Sequence, residues 1–159
     1  MNKIFLTAAA LMLGACGFHL KGSDGASLPA AYRSWRIEGG QALQLPLETA
    51  LHQASGRIAD AGGTPMTLRI GSVSQNKETY TVTRAAAINE YLLILTVEAQ
   101  ALKHGKAVGK PMTVSVRRVL AYADNEILGK QEEEAALWAE MRQDAAEQIV
   151  RRLTFLKAE

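Results

Sequence analysis

Residues 91–102 constrain the fold more than any other stretch, because their side chains alternate without a break. Tyr91, Leu93, Leu95, Val97 and Ala99 fall on one side, and Leu92, Ile94, Thr96, Glu98 and Gln100 on the other. A period of two belongs to a β-strand, in which successive side chains point to opposite faces. Shorter alternating runs flank it. Met66, Leu68 and Ile70 alternate with Thr67 and Arg69, and Thr79, Thr81 and Thr83 with Tyr80 and Val82. Met112, Val114 and Val116 are opposed by Thr113, Ser115 and Arg117, with Pro111 expected at the start of that strand, where no ladder donor is needed. His104-Gly105-Lys106 reads as a turn, so the stretch predicts an antiparallel meander. Tyr32 to Glu38 also alternates and is closed by Gly39-Gly40, which predicts a first strand.

Two other stretches follow the helical period. Pro46 opens the first, where its missing N–H costs nothing, with Glu48 expected in the first turn facing the positive dipole end. Leu47, Leu51, Ala54, Ile58 and Ala61 form its stripe, Gly62-Gly63 ends it, and Pro65 bars continuation. From about Gln131 a second stripe runs through Leu137, Met141, Ala145, Ile149 and Leu153, widened by Trp138. Glu132-Glu133-Glu134 are expected in its first turn and Arg151-Arg152 in its last, both in the sense the macrodipole prefers. The order strand, helix, strands, helix predicts an α+β domain with two helices packed on one face of a four-stranded, mostly antiparallel sheet. The other face carries many Thr, Ser and Gln.

The N-terminus points to export. Met1-Asn2-Lys3 is a short basic start, and residues 4–13 are uncharged but far fewer than the ~20 apolar residues that span a bilayer. Leu13-Gly14-Ala15 then lead into Cys16, the single cysteine of the chain. One cysteine cannot form an internal disulfide, and a thiolate is the nucleophile that accepts a diacylglyceryl group. Residues 1–15 are therefore read as a lipoprotein signal peptide, Cys16 as the lipidation site, residues 16–30 as a tether rich in Gly and Ser, and residues 31–159 as one domain. Two or more acyl chains anchor a protein stably, whereas one gives marginal attachment. Gly17 stands where an inner-membrane retention signal would have Asp, which favours sorting to the outer membrane of a Gram-negative cell.

Little in the chain suggests catalysis. His19, His52 and His104 fall in the tether, on a helix face and in a turn, without a second ligand at metal spacing. Three consecutive glutamates on a helix point about 100° apart and cannot converge on one ion. No nucleophile–base pair, phosphate loop or dinucleotide fingerprint appears. No enzymatic activity, cofactor or metal is expected, and a formal charge of +2 without a basic tract argues against nucleic acid. Two cations stand at connections: Arg84 after Tyr80-Thr81-Val82-Thr83, and Lys130 before the last helix. Arg and Lys suit phosphate, although a lone surface cation is ordinarily just solvated. A small-ligand carrier lipoprotein is the competing reading, and it requires an enclosed apolar pocket. A hydrolase of envelope polymers is a third.

Cys16-Gly17-Phe18-His19-Leu20-Lys21-Gly22 resembles the start of the lipopolysaccharide-assembly lipoprotein family LptE, which reads C-G-[FW]-x-L-[RK]. Asn89-Glu90-Tyr91 matches the family's A-E-Y opening a long strand, and Asp144-Ala145-Ala146-Glu147-Gln148-Ile149-Val150-Arg151-Arg152-Leu153 its final-helix pattern. The resemblance implies a lipid-anchored outer-membrane protein on the periplasmic side, seated in the lumen of the LptD β-barrel as plug and assembly aid while lipopolysaccharide passes to the outer leaflet. It also implies that Arg84 and Lys130 contact lipopolysaccharide phosphates. The family's turn often contains Asn-Gly, where this chain has Ala85-Ala86-Ala87.

Overall fold

The computed structural model describes residues 27–59, 65–84, 87–122 and 127–157. The expected signal peptide, Cys16 and the first part of the tether lie outside the described residues. Along the chain the elements are β1 (Ser34–Glu38), α1 (Gln44–Gln53), β2 (Arg57–Ile58), β3 (Met66–Val82), β4 (Ile88–Lys103), β5 (Lys106–Ala121) and α2 (Ile127–Leu153). The strands form one sheet in the order β2-β1-β3-β4-β5. β3, β4 and β5 are the antiparallel meander, while β1 joins parallel to both β2 and β3. The expected α+β class holds, with five strands instead of four; the addition is the two-residue β2.

The alternation of β4 is realised as drawn from sequence. Leu93, Leu95, Val97 and Ala99 are buried with Met112, Val114, Val116 and Leu120 of β5, and the helices cover them with Met141, Ala145, Ile149 and Leu153 of α2 and Leu47 and Leu51 of α1. Each Leu, Ile, Val and Met among them contributes about 1.5–3 kcal/mol when removed from water. Trp35 of β1 is fully enclosed, and its indole N–H donates to the Tyr32 carbonyl at 2.6 Å, so its burial leaves no polar atom unpaired. The opposite face carries the cross-strand rows Ser72–Glu98–Thr113, Ser74–Thr96–Ser115 and Asn76–Ile94–Arg117. Leu28, within the stretch read as a tether, is buried against this core, and its N–H donates to the Ala54 carbonyl.

Four local expectations are corrected. The first helix ends at Gln53, not beyond Ile58. Ser55 takes a left-handed φ of 61°, its N–H bonds the His52 carbonyl and that of Gly56 the Leu51 carbonyl, which is a Schellman ending. A Cβ on Gly56 would lie 2.8 Å from the Leu51 oxygen, so the turn needs glycine there. Ile58, freed from the helix, pairs with Trp35 in β2. Glu48 and Glu132-Glu133-Glu134 are not first-turn residues, because α1 starts at Gln44 and α2 at Ile127. Glu48 instead accepts a hydrogen bond from Gln44 Nε2 at 2.6 Å.

The two alternating runs at residues 66–70 and 79–83 belong to one seventeen-residue strand, β3. Pro111 lies inside β5 rather than at its start. It sits in a bulge where Ala99 pairs with Met112 and Ala101 with Val108, and β5 is an edge strand, so no ladder donor is missed. The Gln100 amide donates to the Ala101 and Val108 carbonyls and holds the bulge closed.

β1 follows β3 only to the pair Glu38–Arg69. Gly39 and Gly40, at φ 78° and 59°, then turn the chain across Ile70, where a Cβ on Gly39 would stand 2.7 Å from the Ile70 oxygen. Beyond this point β3 continues to Val82 with β4 alone, and residues 71–80 are all exposed. The outer parts of β3, β4 and β5 thus form a three-stranded arm with β3 at its open edge.

Candidate ligand-contact site

Lys130 lies near the start of α2, where the helix passes the far ends of β4 and β5. It lines a cleft of about 210 Å³ with Lys77, Leu120, Tyr122, Gln131 and Glu134. Its side chain is 19% exposed, and Nζ reaches Glu133 Oε2 at 2.6 Å. The strand register explains why Lys77 is here. Lys77 is opposite Leu93, so it points to the helix-covered face, and it meets Glu134 of α2 at 2.5 Å. Its ammonium also stands 4.3 Å from the centre of the Tyr91 ring, and Tyr91 packs edge-to-face on Tyr122 at 5.2 Å. Lys77 holds the Glu134 carboxyl below its ordinary range, against a contrary push from partial burial; the Trp138 indole N–H adds a hydrogen bond at 3.2 Å. In the same cross-strand row, Lys77–Leu93–Arg118, Arg118 of β5 forms a second sheet-to-helix ion pair with Asp144 of α2.

Arg84 stands elsewhere. It occupies the turn at the tip of the β3–β4 arm and is exposed. The Thr83 N–H donates to the Ala87 carbonyl at 2.7 Å, and the Ala87 N–H to Thr83 Oγ1 at 3.2 Å, which brackets the turn; residues 85–86 lie outside the described set. Seven residues separate Arg84 from Lys77, roughly 20 Å of extended chain. The structure therefore does not gather Arg84 and Lys130 into one pocket. The neighbours of Lys130 were invisible in sequence, since Lys77 and Glu134 are 57 residues apart and meet only through the register of β3 on β4.

His52 and His104 are exposed, and among the described residues no group of three or more His, Cys, Asp or Glu could hold a metal ion. Other clefts among the described residues open at the surface, one of about 210 Å³ between α1 and α2 around Ala50, Ala54 and Val150. One of about 320 Å³ lies on the open face around Arg69, Glu98, Gln100 and Met112, and one of about 350 Å³ runs along the charged side of α2.

This fold, a sheet with helices on one face, is shared with bacterial lipoproteins of solved structure. A lipoprotein B from Nitrosomonas europaea superposes with a TM-score of 0.69 at 23% identity, over 87% of this chain and 90% of its own. A minor lipoprotein from Acinetobacter baumannii gives 0.68 at 21%, over 79% and 93%. These likenesses show the fold. The family model described as "LptE: Lipopolysaccharide-assembly" matches residues 28–153. The LPS-assembly lipoprotein LptE of Yersinia enterocolitica is 32% identical over 98% of this chain and 76% of its own, and that of Pectobacterium atrosepticum 29% over 94% and 83%. The chain belongs to the lipopolysaccharide-assembly lipoprotein family LptE. The resemblance read from residues 16–22, 89–91 and 144–153 is borne out.

Proposed function

We propose that this lipoprotein is a non-enzymatic plug and assembly partner of the LptD β-barrel, acylated on Cys16, anchored on the periplasmic side of the outer membrane, and contacting lipopolysaccharide through Arg84 and Lys130. The observation that carries the reading is the open sheet face. Its rows are mostly Ser, Thr, Asn, Glu and Arg, interrupted by Ile94, Leu92 and Val119, and no other layer of the chain covers them among the described residues; the interior of an outer-membrane barrel is polar and wet. The helix-covered face is already closed by the protein's own core. Lipopolysaccharide is large and carries several phosphates, so one cation at the tip of the arm and another in the cleft beside Lys77 suit separate parts of one ligand. The packing favours this over the carrier reading, because among the described residues the buried side chains of both helices and the sheet form one apolar cluster.

Detergent extraction of the tagged full chain from its host tests the partnership. The barrel protein is expected to co-purify, and a membrane-localised chain that brings down no barrel defeats the reading. Arg84→Ala with Lys130→Ala should weaken lipopolysaccharide binding about tenfold, equivalent to ~1.4 kcal/mol, with barrel capture unchanged. Unaltered affinity removes both residues from the site. Mass spectrometry of the mature N-terminus should find an acylated Cys16; an unprocessed or unmodified terminus refutes the anchor.

A further inference from the structure

The two long edges of the sheet are treated very differently. The outer edge of β5 is guarded: Lys106, Lys110 and Arg117 are exposed along it, and Gly109 and Pro111 break it with a bulge. Cations, proline and bulges are the devices by which proteins keep an edge from pairing with another chain. Between residues 72 and 82, β3 has no proline and a single cation, Lys77, whose ammonium is turned to Glu134, and its register shifts fall at the two ends, at Ile70/Ser72 and between Thr79 and Val82. β1 leaves it at Arg69, and among the described residues no strand pairs with it from Ile70 onward. Alternate residues of an antiparallel strand turn their N–H and C=O away from the paired neighbour, so this stretch offers about six residues with free ladder groups. Three of the large exposed apolar side chains, Val73, Tyr80 and Val82, stand on this one strand.

We infer that residues 71–82 of β3 form a strand-addition site for an extended segment of a partner polypeptide. A row of alternating donors and acceptors is satisfied only by another extended backbone, which fixes the occupant as peptide. The side chains narrow its chemistry. On the open face the added segment meets Ser72, Ser74 and Asn76, which suit small polar residues. On the other face it meets Val73, Gln75 and the stem of Lys77, whose ammonium is held by Glu134, which suits an apolar residue near the first. For the partner's identity the inference rests on the proposed barrel. The wall of a closed barrel has no free edge, so the segment is a loop or terminal stretch of that protein and not one of its wall strands.

Amide hydrogen exchange on the full chain, alone and in its detergent-solubilised complex, tests this together with a photo-crosslinking residue at Asn76. Alternate amides of residues 71–82 should exchange rapidly in the free protein and be protected in the complex, with crosslinks to a contiguous partner peptide. Ser74→Pro and Gln75→Pro form a matched pair, since only one removes a ladder donor to β4. The variant that keeps the wild-type melting temperature should lose about tenfold in partner capture. Crosslinks only to a second copy or to residues 1–26 of the same chain, capture that survives both proline variants, or barrel capture without protection of β3 each overturn the inference; the last leaves the proposed function standing. Protection of β3 by a protein other than the barrel supports the edge and overturns the functional reading.

Discussion

Residues 66–70 and 71–82 are halves of one strand with the same partner, β4, yet they live in different surroundings. In the first half Met66, Leu68 and Ile70 are buried, β1 closes the outer edge, and core side chains lie below. In the second half almost every residue is exposed, and Lys77 ties the strand to α2 through Glu134. Backbone pairing is thus enough to carry a strand past its core, while the core decides how firmly it is held. The first half is a structural element that happens to be a strand; the second is a surface presented by one.

The largest expected contrast comes from the core. Trp35→Ala, which empties a fully enclosed site behind Met66, should cost about 3–5 kcal/mol in urea unfolding. A cost below about 1 kcal/mol would show that the buried half is not what holds the sheet. Glu134→Gln should cost at most about 1 kcal/mol at pH 7, discounted because Lys77 and Glu134 are 34% and 26% exposed. The pH dependence has a definite sign. The folded carboxyl titrates below its ordinary value near 4.5, so its contribution is present above that value and is lost as the pH falls through the lower folded one. Wild type and Glu134→Gln should therefore converge on acidification, and a gap that widens below pH 4.5 would refute the assignment. Smallest of all, Val82→Ser on the arm should change stability by no more than about 0.5 kcal/mol, measured the same way. A larger loss would make the arm part of the core.

The same contrast explains what could be read from sequence. β4 was legible because one of its faces is buried along most of its length, and the stripe of α2 because Met141, Ala145, Ile149 and Leu153 all enter one core. Residues 71–78 of β3 carried no signal, since a strand wet on both faces has no reason to alternate. The end of α1 was obscured because Ile58 continues the helical spacing while serving a strand, and because the left-handed closing position is Ser55 where glycine is the usual marker. At the candidate site, Arg84 and Lys130 stood out as cations at connections. Lys77, Tyr91, Tyr122 and Glu134 did not, because their meeting depends on register and on where α2 lands.

The length of β3 sets a reach. Leu28 packs near the beginning of β1, Trp35 pairs with Met66, and β3 runs from there to the turn bearing Arg84. Seventeen residues at about 3.3 Å each measure roughly 55 Å, beyond the ~30 Å of bilayer hydrocarbon. A domain tied by its N-terminus to one leaflet and standing upright would bring that guanidinium to the opposite one. Trimming the hairpin in matched pairs, one residue from each strand, should leave the base folded and withdraw the tip by about 3.3 Å per pair. Lipopolysaccharide assembly that is indifferent to such shortening would mean that the distance spanned has no part in the work.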